Sequence, residues 1–128
     1  MAIYLISAYD GSALWRLNDK NSTFDLENFT FSCQHDLILR AWTADNLTIS
    51  IIDNASGGLP GTNTSAYSSR KFISIDLTTK TATLLKEYIS PERLLSRSQG
   101  DMQTLSSGGQ FIGWGNLAFF SEFMPNRT

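Results

Sequence analysis

The sequence predicts an all-β fold built from antiparallel four-stranded meanders, and three observations lead there. Short runs rich in Ile, Leu, Phe, Tyr and Thr recur along the chain, broken by turn residues about every eight to twelve positions. No segment keeps apolar residues at helical spacing. The runs at 35–42, 47–53, 71–77 and 81–89 follow one another as strands of one meander. The strands before it read as the end of a similar unit and those after it as the start of another. Serial four-stranded meanders are the blades of a β-propeller.

Taken in order, Ile3 to Ser7 is β-rich and leads into Tyr9-Asp10-Gly11, where glycine tolerates the positive φ of a tight turn. Ala13 to Leu17 resumes as a strand, so the chain opens on a hairpin. Residues 18–29 are polar and irregular, with a loop at Asn18-Asp19-Lys20-Asn21-Ser22. His35 to Trp42 and Leu47 to Asp53 are the next two strands, joined by a turn at 43–46. Ala55 to Ser69, rich in Gly, Ser, Thr and Pro without periodicity, reads as a long surface loop. Lys71 to Leu77 alternates Phe72, Ser74 and Asp76 against Ile73, Ile75 and Leu77, an amphipathic strand. Thr78-Thr79-Lys80 turns the chain into Thr81 to Ile89. Ser90-Pro91-Glu92 fits the opening of one helical turn, with Ser as cap and Pro at the first position. Gly100 to Leu105, Gln110 to Gly115 and Ala118 to Met124 complete nine strands.

The expected organisation is one partial domain over 1–128. Residues 1–17 end one blade, 31–89 make a blade with its long loop at 55–69, and 99–124 start the next. Two and a half blades cannot close a ring, because closed propellers have at least about four. Open blade faces would then be apolar and prone to self-association.

A net charge of −2, with the ten Lys and Arg scattered, argues against nucleic acid and anionic membranes as partners. No apolar run approaches the roughly 20 residues of a membrane span. Cys33 is the one cysteine, which excludes an internal disulfide and a Cys-rich metal site. Six of the eight asparagines lie in Asn-x-Ser/Thr sequons: Asn21, Asn28, Asn46, Asn54, Asn63 and Asn126. Chance would give about two, so a glycosylated protein of the secretory pathway is expected. The opening MAIYLISAYDG has no basic and apolar leader pattern, so the chain reads as a piece whose leader lies elsewhere.

The single histidine, His35, sits between Gln34 and Asp36. Any step needing a neutral-pH base or a nitrogen nucleophile must use it or import another. The plainer reading of His35 is a strand-end side chain satisfied by its neighbours. Arg70 beside Lys71 reads equally as a solvated strand start, and Trp114, Phe119, Phe120 and Phe123 as packing between blades. There is no Gly-rich phosphate loop before a helix, no His/Cys metal spacing and no Ser-His-Asp signature, so no metal and no cofactor is expected.

Five segments run in a telling order: LISAYDGSALWRLNDKNSTF, FTFSCQHD, ISIIDNAS, SRKFISIDLTTKTATLLKEYISP and SQGDMQTLSSGGQFIGWGNLAFFSEF. Together they resemble the fungal branch of the arylsulfotransferase (ASST) β-propeller family. The resemblance implies a six-bladed parent several-fold longer, of which this chain is an interior slice. It implies transfer of a sulfuryl group from a phenolic sulfate to a phenol, through a sulfated histidine and without a nucleotide cofactor. His35 resembles a sulfuryl-binding histidine of that family and Arg70 the arginine of the same site. Gln99, flanking a strand start, reads either as polar surface or as a substrate-binding position lining the channel, and Trp114, set against its packing reading, as part of an aryl-binding shelf. The family's nucleophilic histidine follows a Gly-aromatic-Gly segment like Gly113-Trp114-Gly115, and here Phe119 or a neighbour stands in that place. Leu17-Asn18-Asp19-Lys20 also departs from the family's Leu-Gly-Gly-Lys. The expectation is an arylsulfotransferase-like chain that is inactive alone; the alternative is a non-catalytic ligand-binding or scaffold propeller fragment.

Overall fold

Alternation of aliphatic and polar residues builds a central sheet whose middle strands are covered on both faces. The computed structural model describes residues 1–125 and is all-β, with ten strands and no helix in that range. An N-terminal hairpin pairs β1 (Ile3–Ile6) with β2 (Ala13–Leu17). Next come β3 (Asp25–Glu27), β4 (His35–Trp42), β5 (Asn46–Asp53), β6 (Ser69–Asp76) and β7 (Thr81–Ile89), which share one sheet in the order β3-β7-β6-β5-β4. The chain finishes with β8 (Asp101–Thr104), β9 (Gln110–Gly113) and β10 (Phe120–Phe123), an antiparallel sheet of their own.

The meander β4-β5-β6-β7 is antiparallel throughout, with β5 and β6 in unbroken register from Asn46↔Asp76 to Asp53↔Ser69. One feature departs from the sequence expectation. The segment read as irregular contains β3, which lies parallel to β7 and makes the central sheet five-stranded and mixed. Asp25-Leu26-Glu27 offers one apolar side chain in three residues, too short for any period to show. The expected helical turn at Ser90 is a single hydrogen-bonded turn, Arg93 N donating to Ser90 O at 2.8 Å, that no helix continues.

The pleat sends alternate residues of β5 and β6 to opposite faces. Leu47, Ile49, Ile51, Ile73 and Ile75 face the hairpin and close over Ile3, Leu17, Phe24 and Phe31. Trp15 meets Phe24 edge-on at 5.3 Å. On the other face, Ile52 and Phe72 pack against Met102, Ile112 and Trp114 of the C-terminal sheet. Tyr88 bridges Phe72 (6.1 Å) and Phe123 (5.0 Å) there. Each fully buried Ile or Phe contributes about 1.5–3 kcal/mol, so both interfaces stabilise the sheet from β5 and β6 outward. The polar residues of these same strands gather at one end of the stack, where β4 begins.

Candidate functional site

The site is organised by a deformation at the start of β4. The β4–β5 register shifts between His35 and Ile38, and Asp36 takes a left-handed φ of 49°. A non-glycine residue there costs about 1–3 kcal/mol and needs its surroundings to hold it. Arg70 supplies the hold. Its Nη1 donates to the Asp36 carboxylate at 2.7 Å and to the Asp36 carbonyl at 3.2 Å, while Nη2 donates to Ser50 Oγ at 2.7 Å. The same carboxylate oxygen accepts Met102 N at 2.9 Å, tying β4 to β8. Arg70 is fully buried; desolvation pulls its pKa down to about 10 against the opposing effect of Asp36, so it stays charged at neutral pH.

His35 sits immediately before this kink. Its Nδ1 lies 2.7 Å from Asn54 Oδ1 and 3.0 Å from the Cys33 carbonyl. The tautomer follows from the neighbours. Asn54 Nδ2 donates to the Gln99 carbonyl at 2.9 Å, and a carbonyl can only accept, so the amide oxygen must face the imidazole. Nδ1 therefore meets two acceptors and carries the proton. In the neutral ring, Nε2 is left with a bare lone pair, and it has no hydrogen-bond partner among the described residues.

Backbone strain concentrates around this pair. Cys33, Asp36, Ala55 and Gln99 all have positive φ (51°, 49°, 56° and 65°), and each flanks His35 or Asn54 or bonds one of them. Asp53 steadies the turn, its Oδ1 accepting Ser32 N at 3.0 Å and Ala55 N at 2.8 Å. Its other oxygen accepts from a second buried cation: Lys71 Nζ donates to Asp53 Oδ2 (2.7 Å), Ser69 Oγ (2.6 Å) and Glu87 Oε1 (2.8 Å).

Two open grooves flank the network. Ala2, Ile3, Tyr4, Gln34, His35, Asp36 and Leu37 line one of about 310 Å³. Gln99, Asp101, Trp114, Phe119 and Phe120 are among the residues lining another of about 470 Å³. Of the residues singled out from the sequence, His35 and Gln99 are brought together through Asn54. Arg70 is near them but fully enclosed, its guanidinium committed to Asp36 and Ser50. Trp114 is also buried, with Nε1 donating to Ser121 Oγ at 3.0 Å, and packs in the second core. Gly115 is required beside it, since a Cβ there, at φ 63°, would run into the Ser98 carbonyl. Asn54 and Asp36 were missed as site residues, the first because its Asn-Ala-Ser context reads as a sequon.

That sequon reading is corrected at Asn54. The side chain is fully buried and its amide nitrogen is engaged, so the folded chain has no room for a glycan there. Asn21, Asn28 and Asn63 are exposed, Asn46 is half-buried with Nδ2 donating to Ser74 Oγ at 2.9 Å, and Asn126 lies outside the described residues.

With this geometry in place, comparison with known proteins decides the family. A family model described as arylsulfotransferase (ASST) matches residues 1–128. The chain belongs to that family. No curated protein and no solved structure matches it.

For an arylsulfotransferase-family chain, the arrangement is asymmetric in its charge. His35 lines a groove, whereas the Arg70 guanidinium is turned inward to hold the strand that bears His35. No group of three or more His, Cys, Asp or Glu side chains suited to a metal ion occurs among the described residues. No helix there is long and apolar enough to cross a membrane, which says nothing of membrane-spanning β-barrels.

Proposed function

We propose that this chain supplies a phenol-binding histidine to sulfuryl transfer of the arylsulfotransferase type, and that it does not complete the transfer alone. One observation carries the reading: Nδ1 of His35 is held by two acceptors, which leaves the Nε2 lone pair as the ring's working atom in the groove-lining residue. A neutral Nε2 accepts the O–H of a phenol and can take its proton as the phenol oxygen attacks sulfur. Meanwhile the bond from sulfur to the nucleophile that carried it, a group outside this chain, breaks and leaves its electron pair on that nucleophile. Once protonated, the same nitrogen donates to a sulfuryl oxygen, with the imidazolium charge supported by the Asn54 oxygen. No cofactor enters this chemistry.

Incompleteness follows from the count of bases. One imidazole cannot serve as both covalent nucleophile and proton acceptor for the incoming phenol, and the chain has only one. Phe119, where the resemblance expects the nucleophile, cannot bear a sulfuryl group. In this reading the parent is a six-bladed, fungal-type propeller of the secretory pathway, and this chain makes up about two and a half blades of it. Stacked sheets of meander topology and the density of sequons support that picture. Exposed Leu37, Leu39 and Trp42 on the open edge strand β4 support association through uncovered faces.

The test uses the chain as it is, with an aryl sulfate donor and a phenol acceptor. Phenol and phenolic sulfate should shift the ring signals of His35, with no turnover above background. Turnover would refute the claim of incompleteness, and ring signals indifferent to both ligands would sink the binding role. The second reading, a ligand-binding or scaffold fragment without catalysis in any assembly, is favoured by Phe119. Absence of turnover from a longer chain carrying the remaining blades would decide for it.

A further inference from the structure

We propose that Asn54 is the positioning residue of the site: it fixes the tautomer and aim of His35, and the loop at 96–99 fixes Asn54 in turn. This rests on the reading that His35 works through Nε2. Asn54 is a polar amide set in the interior. It is fully buried near the end of β5, a place where a polar amide is costly unless every atom is paired. Its pairing is complete and directional. Oδ1 faces only the imidazole at 2.7 Å, and Nδ2 donates to the Gln99 carbonyl at 2.9 Å, with Ser96 Oγ at the limit of hydrogen bonding at 3.5 Å.

The chain of support continues outward. Ser96 Oγ donates to Asn116 Oδ1 at 3.0 Å, and Arg97 N donates to the same oxygen at 2.9 Å. Ser68, fully buried, receives Ser96 N at 2.8 Å and donates to the Asn54 carbonyl at 3.0 Å. The 96–99 loop thus holds the Asn54 side chain directly and its backbone through Ser68, and it also contributes Gln99 to the rim of the second groove. Gln99 pays for this with a left-handed φ of 65°, strain that turns its carbonyl onto the amide nitrogen.

The chemical consequence is specific. Free imidazole divides its proton between both nitrogens, and the ring with Nε2–H would present a donor to a phenol oxygen instead of a lone pair. Asn54 removes that alternative. The Cys33 carbonyl reinforces it but cannot replace it, being the longer contact and set by its own strained residue.

Because the chain has one histidine, nitrogen-15 NMR of the imidazole reads the tautomer without assignment ambiguity. The unliganded wild-type chain should show the Nδ1–H form at a pH where the ring is neutral; a dominant Nε2–H form overturns the proposal. In Asn54→Ala the ratio of Nδ1–H to Nε2–H should fall on the order of fivefold, the equilibrium worth of one neutral hydrogen bond. An unchanged ratio in a variant with native backbone dispersion also overturns it. Should that variant fail to fold, Asn54→Asp keeps the acceptor in nearly the same volume and must retain the Nδ1–H form; its loss there refutes the role. Phenol titration is read separately. A ring that obeys these substitutions but ignores phenol supports the positioning role while the proposed function fails.

Discussion

Arg70 and Lys71 are neighbours on β6, so the pleat sends them to opposite faces of the central sheet, and both end as buried cations. Arg70 points toward the C-terminal sheet and spends its planar fork on one residue's backbone and carboxylate together, plus the Ser50 hydroxyl. Lys71 points the other way and collects Asp53, Ser69 and Glu87 around one ammonium. The first arrangement pairs one positive with one negative charge and bends the strand bearing His35. The second surrounds one positive charge with two negative ones and staples β5, β6 and β7 side by side. A fork shapes backbone; a point charge gathers side chains. The site is built where the fork is.

Asp36→Ala should break this contrast most severely. It leaves the Arg70 guanidinium buried without a counter-charge and frees Met102 N, so urea unfolding should lose about 3–5 kcal/mol. His35 ring signals should move as well, because the left-handed turn at Asp36 loses its anchor. Lys71→Met is expected to cost about 3 kcal/mol, the low end of the same range, because Glu87 reaches solvent and relaxes. His35 signals should stay near their native positions in that variant, and a large movement would contradict the division of labour. Arg70→Lys comes next, at about 2 kcal/mol, since an ammonium cannot serve Asp36 O, Asp36 Oδ2 and Ser50 Oγ at once.

The smallest effect is in acid. Burial pushes the Glu87 carboxyl up, but hydrogen bonds from Lys71 and Ser69 and the attraction of Lys71 outweigh it, and the net shift is downward from 4.5. A carboxyl with a depressed folded pKa adds stability above its ordinary value and loses it as pH falls through the folded one. Thermal unfolding followed from neutral pH to below 4.5 should therefore show a loss that is shallower in Lys71→Met than in the parent chain. Equal slopes would show that Lys71 does not hold this carboxylate ionised.

Most strands were legible because their periodicity is strong. Ile73 and Ile75 alternate with Phe72 and Ser74 as the two faces require, and β4 and β7 begin and end where the sequence puts them. β3 was not legible, since three residues cannot display a period and its partner lies far along the chain. At the site, the scarcity of histidine made His35 legible at once. Its partner was hidden: Asn54 lies 19 residues away, and Gln99 lies 45 beyond Asn54, so only the β4–β5 register and the stacking of sheets bring them together. Arg70 was legible as a charged residue near the site but not in its direction. Which way an arginine turns depends on the left-handed residue it clamps, and nothing local to Gln34-His35-Asp36 announces that φ.

The parallel strand β3 has a consequence for the order in which this chain assembles. Its three residues pair with Thr81–Thr83, and the Glu27–Thr83 contact spans 56 residues, so closing it costs more loop entropy than closing the hairpins of the meander. As the shortest strand of its sheet and an outer one, it is expected to dock last and leave first. With β3 docked the outer strands of the sheet are β3 and β4; when β3 leaves, Thr81–Thr83 join the part of β7 that β3 never covers, and that edge can template a neighbour along its whole length. Three residues thus set how much of the β7 edge lies open to pairing with another copy of the chain.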